Sequence, residues 1–220
     1  MKINKNEESL VTGEVYHIFN KSIAEYMIFN DNHEFSRIRE AIKYYRNEKA
    51  IAKLSQFIAS KKKKLNWENF NKKDNLVNIV AYCIMPTHIH LALKQLKNGG
   101  ISIFMSNVLN SYTRYFNTKH NRKGPLWESR FKRVLVDRDE QLIHLTRYIH
   151  LNPVTASLVN KPEDWHASSY REYLGRVPEE DKICDYSEIL EINPEDYEEF
   201  TEERISYQKE LARIKNLFLD

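Results

Sequence analysis

The stretch Val77-Asn78-Ile79-Val80-Ala81-Tyr82-Cys83-Ile84-Met85-Pro86-Thr87-His88-Ile89-His90 decides how the rest of the chain is to be read. Its apolar run, stopped at Pro86, predicts a hairpin. One strand covers 77–84, a second covers 89–94, and Met85-Pro86-Thr87 forms the turn. Residues two apart on an extended segment point to the same side of a sheet, about 6–7 Å from one another. His88 and His90 therefore present two imidazoles to one face, close enough to share a divalent ion that would polarise a phosphate. The competing reading is a pair of half-buried structural histidines, and a chain with eight histidines offers such a triplet easily by chance.

A second stretch weighs on that choice: Asp139-Glu140-Gln141-Leu142-Ile143-His144-Leu145-Thr146-Arg147-Tyr148-Ile149-His150-Leu151-Asn152-Pro153. Leu142, Leu145 and Ile149 recur at helical spacing, so it reads as a short amphipathic helix. Tyr148 and Asn152, four apart, project from one side. Pro153 disfavours helical geometry at Asn152 and places that residue at or just past the helix end. Either this phenol and carboxamide complete a site begun by the histidines, or Tyr148 packs on the sheet and Asn152 caps the helix.

Around these stretches the periodicity orders the remaining elements. A strand at 15–20 leads into a helix that Asn30-Asp31-Asn32 can cap, with Phe35, Ile38, Ile42 and Tyr45 on its apolar stripe. Residues 48–74 are lysine-rich, with the run Lys61-Lys62-Lys63-Lys64, and read as an insertion, part helix and part loop. A helix over 102–119 carries Phe104, Val108, Tyr112 and Tyr115 until Gly124-Pro125 breaks the pattern. A basic fourth strand over 126–136 precedes the tyrosine helix. Strand–helix–strand–strand–helix–strand is a split βαβ order, so the expected fold is α+β: a ferredoxin-like antiparallel sheet with helices on one face and the other face open. A C-terminal helical extension begins at Asn193-Pro194, with Tyr197, Phe200, Tyr207, Leu211, Ile214 and Phe218 near one stripe.

Five ordered segments resemble the single-tyrosine His-hydrophobic-His (IS200-like) transposases, in the branch called REP-associated tyrosine transposases. Tyr16-His17-Ile18-Phe19-Asn20-Lys21 resembles the family's opening strand, and Met85-Pro86-Thr87-His88-Ile89-His90 its metal-binding hairpin. Gly124-Pro125-Leu126-Trp127-Glu128-Ser129-Arg130-Phe131-Lys132 is similar to its Gly-x-Leu-Trp-x-x-Arg-Phe segment. Tyr148-Ile149-His150-Leu151-Asn152-Pro153-Val154 resembles the nucleophile helix, with Asn where related insertion-sequence enzymes have Gln. Trp165-His166-Ala167-Ser168-Ser169-Tyr170 is similar to the element that follows.

The resemblance implies chemistry. Tyrosine, with a pKa near ~10, is a poor nucleophile at neutral pH. It becomes effective on a phosphate whose charge a metal has drawn off. His88 and His90 would hold Mg²⁺ or Mn²⁺, Mn²⁺ suiting mixed nitrogen and oxygen ligands better, and Asn152 would add an oxygen. Tyr148 would attack to leave a 5′-phosphotyrosine and a free 3′-OH, a linkage that another 3′-OH can reverse. Tyr112 and Tyr115 are rivals by residue type, but neither has an Asn four residues on. His17, His144 and His150 read as structural or as supports behind the ligands. Arg130 and Lys132 alternate onto one strand face and would grip phosphates; Arg114 and Arg133 are further candidates. Trp127 either stacks a base or belongs to the core.

The bulk properties agree. At 220 residues and 26.3 kDa the chain suits one domain with elaborations, taken here as a catalytic domain over 1–177 and an acidic connector with C-terminal helix over 178–220. Hydrophobic content of 41 % excludes a disordered chain. No apolar run is long enough to span a bilayer, no signal peptide is evident, and two cysteines make no disulfide framework. A cytoplasmic location follows, nucleoid-associated when DNA is bound. The formal charge of +3 hides an asymmetry: residues 178–203 hold twelve acids and one base, a net of −11, which leaves +14 on the rest. A basic body suits a phosphate-neutralising protein. The acidic stretch is either a solvated connector or a competitor for that basic face. The expected partner is single-stranded DNA with hairpin structure, with the chain a monomer or homodimer and no membrane involved. A nicking endonuclease without transposition and a domesticated hairpin-binding protein without turnover are the alternatives.

Overall fold

The computed structural model describes residues 10–61 and 70–210. Lys62-Lys63-Lys64 of the expected lysine run and Leu211, Ile214 and Phe218 of the C-terminal stripe lie outside them. The sheet is built from β1 (Val15–Lys21), β2 (Val77–Met85), β3 (His88–Gln95) and β4 (Lys132–Val136). All neighbours are antiparallel, in the order β2-β3-β1-β4. Helix α1 (Asn32–Tyr45) crosses from β1 towards β2, and α3 (Gly100–Lys119) from β3 to β4, with the short α2 (Leu54–Lys61) between α1 and β2. This is the ferredoxin-like arrangement expected from the element order.

Side-chain alternation assigns the two faces. Tyr16, Ile18, Ile79, Tyr82, Ile84, Ile89, Leu91 and Leu93 pack with α1 and α3 into one core. A bulge between Ile79 and Ala81 leaves Val80 without a partner on β3 and puts both Val80 and Ala81 on the opposite face. The Val80 carbonyl is satisfied by the Tyr173 hydroxyl at 2.8 Å. That shift explains why 77–85 reads as a continuous apolar run: both of its faces are covered.

The second face departs from expectation. It is partly covered rather than open. Helix α4 (Asp139–Thr155) lays Leu142 and Ile149 on Val80, Ala81, Cys83, Met85 and Ala92, joined by Tyr170 and Tyr173 of α5 (Tyr170–Tyr173) and Tyr197 of α6 (Pro194–Glu202). The apolar side chains that β2 presents there require a partner, and α4 supplies it. The expected strand over 126–136 is also shorter. Residues 126–131 form a connecting segment, because Trp127 turns inward to bridge Ser22 and Glu128 donates to the Lys21 carbonyl at 3.0 Å.

The acidic stretch is packed on the body rather than being a free connector. Ile183, Leu190 and Tyr197 are buried in the body. Glu198 forms a paired salt bridge with Arg176 at 2.9 and 2.8 Å, Glu202 meets Lys161 at 3.4 Å, and Asp185 meets Lys72. With the 167–169 segment the stretch also covers the edge of β2: Asp185 donates to the Ile79 carbonyl, Ser169 donates to that of Tyr82, and Ile84 donates to that of Ala167. Asn193 caps α6 as its sequence predicts, accepting from the Glu195 and Asp196 amides.

His150 ties these pieces together. It is fully buried; its Nδ1 lies 2.7 Å from the Tyr197 hydroxyl and its Nε2 2.7 Å from Ser169 Oγ. Tyr197 in turn donates to Thr146 at 3.0 Å, so a chain of hydrogen bonds joins α4, α5 and α6. Burial pushes the imidazole down to about 3. The unfolded chain takes up a proton on this ring near pH ~6.5, whereas the folded one does so only near 3. Stability should therefore fall as pH drops through that interval. Replacing His150 with Leu strips partners from two buried hydroxyls and should cost about 2–3 kcal/mol at pH 7. Urea unfolding should also show a shallower loss of stability between pH 6 and 4 than the parent.

Candidate active site

The pairing of β1 with β3 sets Phe19 opposite His90 and His17 opposite Ala92. His88, His90, His17 and Phe19 thus share the face that carries α4. His17 and His90 stand diagonally across the two strands with rings stacked at 5.2 Å, and His17 Nε2 lies 3.0 Å from His90 Nδ1. The His88 and His90 rings are 5.0 Å apart at a near right angle. Tyr148, reaching down from α4, sets its ring edge-on to His90 at 5.7 Å and to His17 at 6.0 Å. Tyr148 remains 45 % exposed while His90 is only 8 % exposed, so the phenol is open to a ligand and the imidazole beneath it is sheltered.

Burial sets the electrostatics. It lowers His17 and His88 to about 4, and His90, next to His88 and His17, to about 3. All three rings are neutral at pH 7 and keep a lone pair for coordination or hydrogen bonding. Both members of the His88/His90 pair are engaged through Nδ1, His88 with Thr87 Oγ1 at 2.9 Å and His90 with His17. Each Nε2 has no hydrogen-bond partner among the described residues. That is the donor set a divalent cation needs: neutral imidazoles oriented through one nitrogen and open at the other. No group of three His, Cys, Asp or Glu side chains suited to a metal is found among the described residues, so these two nitrogens would need an amide, water or phosphate oxygen to complete a shell. Burial raises the Tyr148 phenol, and the Asn152 amide partly offsets this, so the hydroxyl is protonated at neutral pH.

Asn152 and Pro153 lie inside α4, which continues to Thr155, rather than at its end. Pro153 has no N–H for the Ile149 carbonyl four residues back. Asn152 Nδ2 stands 3.5 Å from that oxygen and donates to the Tyr148 carbonyl at 2.9 Å. The side chain thereby carries the helix through its proline and keeps the Tyr148 turn in place. Its amide nitrogen is held by the backbone, which leaves Oδ1 as the atom available to a ligand.

The other candidates divide by location. Tyr112 is fully buried in the opposite core and donates to the Ile28 carbonyl. Tyr115 sits on the same helix beneath Arg37, so both rivals are separated from the histidines by the sheet. Trp127 is in the core as well: its indole donates to Leu109 at 3.3 Å and its ring packs with Phe29 and Tyr112, so it is not free to stack a base. Arg114 lies on the outer helical layer beside Arg37, Lys53 and Tyr115, away from the site. Arg130 precedes β4, and its expected pairing with Lys132 on one strand face is not formed. Lys132 stands opposite Phe19, whereas Arg130 and Arg133 line a groove of about 710 Å³ between α3 and the 125–133 segment.

His17, read from the sequence as structural or as a support behind the ligands, stands beside His90 on the shared face. One further residue was not singled out from sequence. Arg204, with Arg147 and Tyr207, lines a cleft of about 210 Å³ along Tyr148; nothing in the linear order marks it.

The fold and site together define a class by geometry alone: a four-stranded antiparallel α+β sheet that presents paired histidines beneath a helical tyrosine. Residues 56–152 match the family model described as transposase IS200 like. A protein of Haemophilus influenzae that carries the name of a REP-associated tyrosine transposase is 31 % identical over 101 residues, 41 % of this chain. The chain spans 57 % of the length of that curated relative. The solved structure of a REP-associated tyrosine transposase bound to a REP hairpin has the same fold, with a TM-score of 0.51 at 18 % identity, over 87 % of this chain and 99 % of that one. Over that segment the chain is similar to IS200-like transposases, and its fold is similar to that of a REP-associated tyrosine transposase.

The tyrosines can be separated by stability alone. Tyr112→Phe leaves the buried Ile28 carbonyl without its donor and should cost about 1–2 kcal/mol. Tyr148→Phe keeps a half-exposed ring in place and should change stability by less than about 0.5 kcal/mol. Parallel urea titrations read both. A larger loss for Tyr148→Phe would make that hydroxyl structural.

Proposed function

We propose that this chain is a metal-dependent single-stranded DNA transposase or endonuclease that cleaves beside hairpin DNA through Tyr148. One observation carries the reading: Tyr148 of α4 sets a half-exposed phenol over buried His90 and half-buried His17, with His88 alongside. The family match over 56–152 and the fold shared with a hairpin-bound transposase support it. No helix among the described residues is long and apolar enough to cross a membrane.

In this reading His88 and His90 hold Mg²⁺ or Mn²⁺ through Nε2, with Asn152 Oδ1 as a further ligand. The ion, when bound, would neutralise charge on the scissile phosphate. Tyr148 Oη bonds to phosphorus while the bond from phosphorus to the 3′-oxygen breaks. The phenol releases a proton and the departing 3′-oxygen takes one up. The product is a 5′-phosphotyrosine with a free 3′-OH, and attack by a second 3′-OH rejoins strands without a nucleotide cofactor. The groups in this scheme lie within residues 1–177, while Tyr197, Phe200 and Gln208 brace α4 from behind. Lys132, on the site face, and Arg130, in the groove between α3 and the 125–133 segment with Arg133 beside it, would hold phosphates on either side of that segment.

Incubation with Mn²⁺ and single-stranded hairpin DNA should give a covalent adduct on a denaturing gel, while the matched blunt duplex stays intact. Tyr148→Phe should bind normally and form no adduct. His88→Ala and His90→Ala should each lose cleavage together with its response to Mn²⁺, while hairpin affinity changes little because phosphate contacts supply most of it. Hairpin binding without an adduct in the parent protein would instead favour the domesticated binder.

The groove gives a separate expectation. Arg130→Ala should weaken hairpin binding and reduce the slope of log affinity against log salt by about 1. An unchanged slope in fluorescence anisotropy titrations would remove Arg130 from the DNA path.

A further inference from the structure

We infer that His17 is the positioning residue of the candidate metal site: its Nε2 accepts the Nδ1 proton of His90 and so fixes the tautomer that turns the His90 Nε2 lone pair outward. This rests on the reading of His88 and His90 as ligands and deepens it.

Proton counting separates the two possible tautomers. The 3.0 Å contact between His17 Nε2 and His90 Nδ1 holds a single proton, because two neutral rings meet there. If His17 donates, His90 carries its own proton on Nε2 and has no lone pair to give a cation. If His90 donates, its Nε2 is a free base and the His17 proton lies on Nδ1. Only the second arrangement makes His90 a ligand. His88 is served in the same way by Thr87, whose hydroxyl sits 2.9 Å from the corresponding nitrogen. The two ligands are thus oriented through matching atoms, one by a threonine on the turn and the other by a histidine on the adjacent strand.

Packing holds His17 to this task. It stacks on His90, lies 5.0 Å from the Phe19 ring and meets the Tyr148 edge. Its position opposite Ala92 leaves room for the ring to lean towards His90. Spending Nε2 on His90 also explains why the three histidines do not form a three-ligand set of their own.

The test compares two replacements. His17→Phe keeps a ring against Phe19, His90 and Tyr148 but removes the acceptor. His17→Gln keeps an acceptor oxygen without the ring. Binding of Mn²⁺ alone to the full chain, followed by calorimetry or electron paramagnetic resonance, should weaken on the order of 10–100-fold in His17→Phe and recover in part in His17→Gln. Thermal stability and hairpin affinity should change little. Nitrogen-15 NMR of the metal-free parent should find the His90 proton on Nδ1. A His90 proton found on Nε2, or Mn²⁺ affinity equal to the parent in His17→Phe, overturns the inference. If His88→Ala and His90→Ala also bind Mn²⁺ as the parent does, the metal reading fails instead. The NMR result still reports on the tautomer in that case.

Discussion

The register of β1 on β3 is the constraint on which the site depends. With Phe19 opposite His90 and His17 opposite Ala92, every ring of the candidate site falls on one face and Ile18, Leu91 and Tyr16 fall on the other. A slip of one residue would turn β1 over, burying His17 among apolar side chains and exposing Ile18. Burying an unpaired imidazole and exposing a core isoleucine each cost on the order of a few kcal/mol. The hydrophobic pattern of β1 therefore protects the geometry of the histidines without touching them.

The two faces of the sheet do different work. One is filled by α1 and α3 in the manner of the fold, and its tyrosines, Tyr112 among them, are core. The other is shared: α4 covers the β2 side with Leu142 and Ile149, while the β3–β1 side stays accessible beneath Tyr148. A single helix thus anchors itself with one stripe and presents a phenol with the next. The His150 network and the segment after α5 hold that helix from behind. The acidic C-terminal stretch contributes by pairing with Arg176, Lys161 and Lys72 and by one hydrogen bond, from Asp185, to the β2 edge.

Functional chemistry here is a matter of protonation and exposure. Burial keeps His17, His88 and His90 neutral at physiological pH, which a ligand site requires, and the same burial keeps the Tyr148 hydroxyl protonated. A phenol of this kind has no reason to react by itself. In the proposed reading its activation would come with the bound DNA.

Sequence by itself determined the element order, the hairpin that carries His88 and His90, the helix that carries Tyr148, and the caps at Asp31 and Asn193, because these follow from local periodicity and local hydrogen bonding. It singled out Tyr148 over Tyr112 only through the Asn four residues on and through resemblance. Tertiary structure decided what depends on contacts distant in sequence. Trp127 entered the core because Leu109 and Tyr112 meet it there; Arg114 fell on the far layer because α3 faces both ways; and the face expected to be open was half covered because the Val80 bulge left two apolar side chains needing a partner. The place of His17 was decided in the same way, since which strand lies beside β3, and in which register, is a property of the whole sheet and of no single segment.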